Sequence, residues 1–209
     1  INFFFNFKKN NLDFYDIKLS LNDKNLFLPE LKIKKKTNKF LVSGKNKNKD
    51  ISLKENEIYQ LLNRDLFFPK IILTEFDSDN IFSFSIDKRY RINDLKVDSK
   101  LNLKKMDLYN SFNLKKYFPN INDTLSLTNQ KIQIQYKKNF LSIKGKGNIL
   151  LQKKFDNIEY DLTKTKKDIK FNTLITIKKN PTNLKVLNFQ KDLNSNLEII
   201  LNGNKNLKS

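Results

Sequence analysis

The chain has 209 residues with 38 Lys and 3 Arg against 22 acidic residues, a net charge of +19, and no His or Cys. Those absences exclude imidazole and thiolate catalysis, disulfides and ordinary zinc sites. No apolar run reaches the roughly 18–20 residues that span a bilayer, and no signal peptide is visible.

The remaining usage is equally lopsided: 31 Asn, 21 Ile and 18 Phe, with no Ala or Trp. The enriched residues are those with AT-rich codons, so the source reads as an AT-biased genome and much of the lysine excess as codon drift. Base and phosphate readout favours the planar bidentate fork of Arg. A ratio of 38 Lys to 3 Arg therefore argues against specific nucleic-acid binding. The chain opens Ile1-Asn2-Phe3-Phe4-Phe5 and reads as a piece of a longer protein.

In chain order, weak strand patterns cover residues 12–21, 31–35 and 40–43, and Lys45-Asn46-Lys47-Asn48-Lys49 is the best loop candidate. A first short helix is predicted where Ile58, Leu61 and Leu62 follow an Asn56 cap and Glu57. Residues 71–76 then form a strand, Asp77-Ser78-Asp79-Asn80 a turn, and Phe82, Phe84 and Ile86 a strand alternating with serine. Leu95, Val97, Leu101 and Leu103 share one face, with Ser99 interrupting. A second helical pattern, Leu114, Tyr117 and Phe118, starts after Ser111 and stops at Pro119.

Residues 125–128 form a further weak strand, and Ile132, Ile134 and Tyr136 alternate with polar residues up to a Lys137-Lys138-Asn139 turn. Leu141, Ile143, Ile149 and Leu151 follow, with Gly145 and Gly147 on the same face, which suggests a β-bulge rather than a phosphate loop. Residues 155–162 are a weak strand, and Ile169, Phe171, Ile175 and Ile177 a clear one. Pro181 opens a third short helix carrying Leu184 and Leu187, and Leu197, Ile199 and Leu201 close the series. Leu66-Phe67-Phe68-Pro69 and Lys116-Tyr117-Phe118-Pro119 are faint echoes, each leading into two strands.

The expected fold class is thus mostly β, antiparallel and amphipathic on one side, with a few short plugging helices. Residues 1–209 read as one β-rich segment, with possible sub-units 1–110 and 111–209. Alternation is equally compatible with an elongated curved groove and with a sandwich or barrel whose apolar face is core.

No enzyme active site is expected, and no cofactor or metal. Asp77 and Asp79 read as turn formers, and Asp156, Glu159 and Asp161 as partners of lysine on a polar face. Arg89-Tyr90-Arg91 suits a solvated strand end, with a phosphate headgroup or RNA as the functional alternative. Lysine beside aromatics also raises single-stranded nucleic-acid binding, but the Phe residues fall in phase with Ile and Leu, inside an apolar face.

The stretch from Asp123 to Asn204 resembles the AsmA, TamB and YhdP superfamily of bacterial envelope proteins. The resemblance lies in Leu125-Ser126-Leu127, in the strand from Lys131 to Tyr136, and in Leu141-Ser142-Ile143-Lys144-Gly145-Lys146-Gly147-Asn148-Ile149. Thr173 to Ile177, Pro181, the Leu184/Leu187 pattern and Leu197 to Gly203 look like the family's strand, short helix, strand-ending-in-Gly phrase. The first 60 residues match less well.

The resemblance implies a lipid-binding or lipid-transfer segment of a periplasm-spanning β-groove, serving outer-membrane biogenesis. The parent would be anchored in the inner membrane through a segment outside this chain, with phospholipid acyl chains as the partner. The implied groove-lining residues are Phe82, Phe84, Ile86, Ile132, Ile134, Leu141, Ile143, Ile149, Ile175, Ile177, Leu197 and Ile199. The alternatives are a basic single-stranded nucleic-acid-binding protein and a non-enzymatic scaffold.

Overall fold

Period-2 amphipathic runs joined by short polar turns can only pair with their chain neighbours, and the computed structural model of the chain shows that arrangement. It describes residues 2–8, 10–21, 24–61, 70–110, 118, 120–184, 188–192 and 194–207. Strand accounts for 79% of the described residues. The main strands are β1 (Asn2–Lys8), β2 (Asn11–Leu21), β3 (Lys24–Lys35), β4 (Lys39–Lys54), β5 (Ile71–Asp87) and β6 (Ile92–Tyr109). They continue as β7 (Thr124–Lys137), β8 (Phe140–Leu150), β9 (Phe155–Thr165), β10 (Asp168–Ile177) and β13 (Leu197–Asn206). These form one open antiparallel sheet of eleven strands in strict chain order, β1 and β13 at its edges. β6 and β7 pair from Val97–Tyr136 to Tyr109–Thr124, so the sheet runs unbroken past residue 110.

Two strands are longer than the sequence suggested. Lys45–Lys49 is not a loop: it lies inside the 16-residue β4. Asp77–Asn80 is not a turn: it lies inside the 17-residue β5, where Asp77 pairs with Asn102 and Asn80 with both Asn46 and Ser99. Side chains explain the reversal. On β4 an extra residue bulges at Asp50 (φ 54°), and the Asp77 carboxylate accepts the Asp50 N–H at 2.7 Å. Lys104, at a register shift of β6, bonds the carboxylates of both Asp50 and Asp77. An Asp-rich stretch that resembles a turn in one dimension is thus the fastening of a bulge in three.

The turns β1–β2, β3–β4, β5–β6, β7–β8 and β9–β10 are short and sit at one end of the sheet. Lys137 pairs with Phe140 across Lys138 and Asn139 (φ 63°), the hairpin expected there. The long connections sit at the opposite end. The first contains α1 (Glu55–Leu61), which packs against β4 and β5 and buries Ile58. Its cap is not Asn56. Glu57 Oε2 reaches back to accept the Lys54 N–H at 2.9 Å, half of a capping box, and Glu57 also pairs with Lys24. The second predicted helix lies outside the described residues, apart from Phe118, as do most of the two echoed motifs. The third is replaced where described: β11 (Thr182–Leu184) and β12 (Phe189–Lys191) form a small hairpin.

The main core lies at this long-connection end. Phe118 and Ile121 pack with Leu125, Ile149, Leu151 and Ile177. A buried polar knot ties the connections together. Asp156 accepts the Lys178 N–H at 3.0 Å and the Asn180 side-chain amide at 2.6 Å, and Gln152 donates to the Pro181 carbonyl at 2.7 Å. The Lys191 ammonium donates to the carbonyls of Lys178 and Asp192, both at 2.8 Å. All of these bonds except that from Lys191 to its neighbour Asp192 cross between chain segments, so the knot specifies how the connections seat.

Candidate functional site: the apolar face of the sheet

Directly opposed residues in an antiparallel sheet share a face, so the register assigns every side chain to a side. One row runs Asn46–Asn80–Ser99–Ile134–Ile143–Leu162–Phe171–Gly203 across β4 to β13. The next row toward the long connections runs Asn48–Ser78–Leu101–Ile132–Gly145–Tyr160–Thr173–Leu201. This side is apolar over most of its extent. The opposite side carries Lys, Asp, Gln and Asn, as in the row Lys47–Asp79–Lys100–Gln133–Lys144–Asp161–Asn172.

All twelve residues singled out in the sequence fall on the apolar side. Phe82, Phe84 and Ile86 stand on β5, Ile132 and Ile134 on β7, Leu141, Ile143 and Ile149 on β8, Ile175 and Ile177 on β10, and Leu197 and Ile199 on β13. Ile132, Ile149 and Ile177 are buried and the other nine half-buried. The face is also larger than those twelve. Ile17 of β2, Val42 and Ile51 of β4 and Leu103 of β6 are all buried on it. Leu103 belongs to the face already read along Leu95, Val97 and Leu101, and the other three were missed because bulges reverse the alternation in β2 and β4.

The glycines sit on this face and none has a positive φ, so space rather than backbone freedom accounts for them. Gly145 is directly opposite Tyr160, and a Cβ there would stand 2.2 Å from the ring. Gly203 faces Phe171 and Gly44 faces Phe82 in the same way, at 2.1 and 2.8 Å. Each glycine lets an aromatic ring lie flat on the sheet, and Phe82 also stacks on Phe84 with centroids 6.1 Å apart. Burial pushes the Tyr160 phenol up to about 12. The bulge expected at Gly145 and Gly147 belongs to the neighbouring strand. β7 carries the extra residue at Asn129 (φ 51°), while β8 keeps perfect register with β9. Gly147 makes room for Gln130, whose amide donates to the Asn148 carbonyl at 2.8 Å.

One patch of the apolar face is polar. Asn80 donates to Asn46 at 3.2 Å and to Ser78 at 3.0 Å, Asn48 donates to Ser78 at 3.0 Å, and Ser99 donates to Asn80. This neutral network spans β4, β5 and β6 and contains the run that resembled a turn and the run that resembled a loop.

On the polar side, carboxylates pair with lysine. Asp161 meets Lys144 at 2.9 Å, as expected, and Glu30 takes Lys32 and Lys45. Hydrogen bonds from Lys32 hold Glu30 below its ordinary range, and those from Lys104 do the same for Asp77. Asp156 departs from the expectation. It lies on the apolar side and is buried in the knot. Arg89-Tyr90-Arg91 forms the β5–β6 turn, where Arg91 pairs with Asp87 at 2.8 Å and Tyr90 is fully exposed to solvent.

No family model, curated protein or solved structure matches the chain.

Proposed function

We propose that the chain is a lipid-binding segment of a β-groove protein of the bacterial envelope, its apolar face carrying phospholipid acyl chains between membranes. The observation that carries this reading is an open eleven-stranded sheet with one face apolar except for a neutral patch on β4 to β6. The described connections pack on that face at one end, around Phe118 and Ile121. Toward the short turns Phe40, Tyr136 and Phe171 of the same face are exposed. Exposed apolar area on this scale marks an interaction surface. Each methylene moved from water onto it gains about 0.8 kcal/mol. In this reading the sheet is curved along the strand stack, the chain is periplasmic, and lipid moves without any catalytic step.

The test is native mass spectrometry of protein purified from bacterial cells, with photo-crosslinking from Ile143 and Ile175. Bound phospholipid is expected, with occupancy lost in Ile143→Asp and Ile175→Asp and insensitive to salt. Protein that carries no lipid, and binds single-stranded RNA with steep salt dependence instead, would refute it.

A further inference from the structure

The two ends of the sheet differ in a way that acyl-chain binding does not require. At the long-connection end, buried side chains and the polar knot form a packed cap. At the other end the chain makes only tight turns, and these collect cations. Lys36, Lys88, Arg89, Lys138, Lys166 and Lys167 are all exposed, and none has a carboxylate within ion-pair distance among the described residues. Beside them stand the most exposed rings of the described chain: Tyr90 at 87% and Phe7 at 70%. Phe40, Tyr136 and Phe171 are also exposed near these turns, each on the apolar face.

We propose that this short-turn end rests on an anionic lipid bilayer, the turn cations meeting headgroups and the rim rings entering the interface. Lysine and aromatic side chains have an apolar body and a polar tip, the combination that partitions to the headgroup level. Each cation near an anionic surface raises partitioning by about fivefold at low salt. Because Phe7, Phe40, Tyr136 and Phe171 close the apolar face at this end, the bilayer interior and the face become continuous. A lipid passes from one to the other without crossing water. The strands then stand on the membrane and the row of turns lies along it. Nucleic acid fits less well: the rim is rich in Lys, and several of its rings belong to an apolar face rather than a polar platform. Membrane docking stands on the rim alone and does not need the acyl-chain reading.

The experiment is co-sedimentation with vesicles of phosphatidylglycerol and phosphatidylcholine, compared with phosphatidylcholine alone. Binding is expected only to the anionic vesicles, weakening as salt rises. Lys88→Glu with Arg89→Glu is expected to lower it at least about tenfold. The same charge change at the other end, Lys153→Glu with Lys154→Glu, is expected to lower it less than about twofold. Tyr90→Trp supplies a reporter in a chain without Trp, and its emission is expected to shift to the blue on vesicles. Far-UV circular dichroism confirms that each variant is folded. Equal losses from the two charge pairs, no vesicle binding at all, or tighter binding to poly(U) RNA lost in the Lys88/Arg89 variant would each overturn the proposal. Loss of vesicle binding with bound lipid retained strikes only the docking rim. Vesicle binding without bound lipid strikes only the acyl-chain reading.

Discussion

Replacing Gly145 by Ala tests the idea that glycine seats a ring. The new Cβ would lie 2.2 Å from Tyr160 Cζ and 2.4 Å from its hydroxyl, well inside contact distance, so the ring must lift off the sheet. Overpacking of this kind costs about 1–3 kcal/mol. Exposing part of a ring that buries about 150–250 Å² adds about 1 kcal/mol more. We expect Gly145→Ala to destabilise by about 2–3 kcal/mol in urea unfolding, and Tyr160→Ala by a similar amount. The double variant is expected to be no less stable than Tyr160→Ala alone, because the Cβ then enters vacated space and alanine restricts the unfolded chain. Gly203→Ala with Phe171→Ala is expected to behave alike, since only ring atoms crowd that Cβ. Gly44 is the contrast: a Cβ there also meets the Glu30 backbone carbonyl at 2.8 Å, so removing Phe82 rescues only part of the loss. Additivity within about 0.5 kcal/mol at Gly145 and Tyr160 would refute the reasoning.

The Tyr160 phenol, raised to about 12 by burial, predicts a loss of stability at high pH. The folded state holds the proton more tightly than the unfolded chain, so this contribution is complete below pH ~10 and is lost as pH climbs toward 12. Urea unfolding midpoints across that window should fall, and Tyr160→Phe should flatten the fall; an unchanged slope would count against a buried phenol. At the acid end, Asp77→Asn keeps the shape but weakens the acceptor for the Asp50 N–H and removes the Lys104 ion pair. The site is solvent-accessible, so the expected loss is about 1 kcal/mol at pH 7. The Asp77 carboxyl is held low in the folded state, so the wild-type advantage should vanish as pH falls through the carboxylate range. A pH-independent difference would contradict that sign.

How much of this face could be read in advance depended on the bulges. β8, β9, β10 and β13 pair without a register shift, and their apolar residues keep one parity throughout: Leu141, Ile143 and Ile149, then Ile175 and Ile177, then Leu197 and Ile199. That half was legible from alternation alone. In the other half the parity reverses within strands. Leu12 and Phe14 share the face with Ile17 and Leu19 across Asp16 (φ 52°). Phe40 and Val42 share it with Ile51 and Leu53 across Asp50, and Leu125 and Leu127 with Ile132 and Ile134 across Asn129. One inserted residue moves every later side chain to the other face, so each such strand resembled two weak ones. A signal was present: Asp and Asn tolerate the left-handed conformation, and each of these three sits where the parity changes. The third helix failed for a different reason. Two leucines behind a proline carry little helical preference, and the buried network through Gln152, Asn180 and Lys191 favours a hairpin instead.

The same bulges bear on what the face can do. A regular sheet of this width would accumulate a uniform twist, whereas an extra residue bends its strand and sharpens the local twist. Here β2, β3, β4, β6 and β7 all carry an irregularity partway along their length, next to the polar patch of Asn46, Asn48, Ser78, Asn80 and Ser99. The register shifts therefore fall beside the place where the apolar face holds its own hydrogen-bonded network. Buried apolar neighbours such as Ile51 and Leu103 stand on the long-connection side of it, and exposed rings such as Phe40 and Tyr136 on the other. Two apolar stations separated by neutral donors and acceptors suit an amphipathic occupant, with its methylenes on isoleucine and phenylalanine and its polar atoms within reach of asparagine and serine.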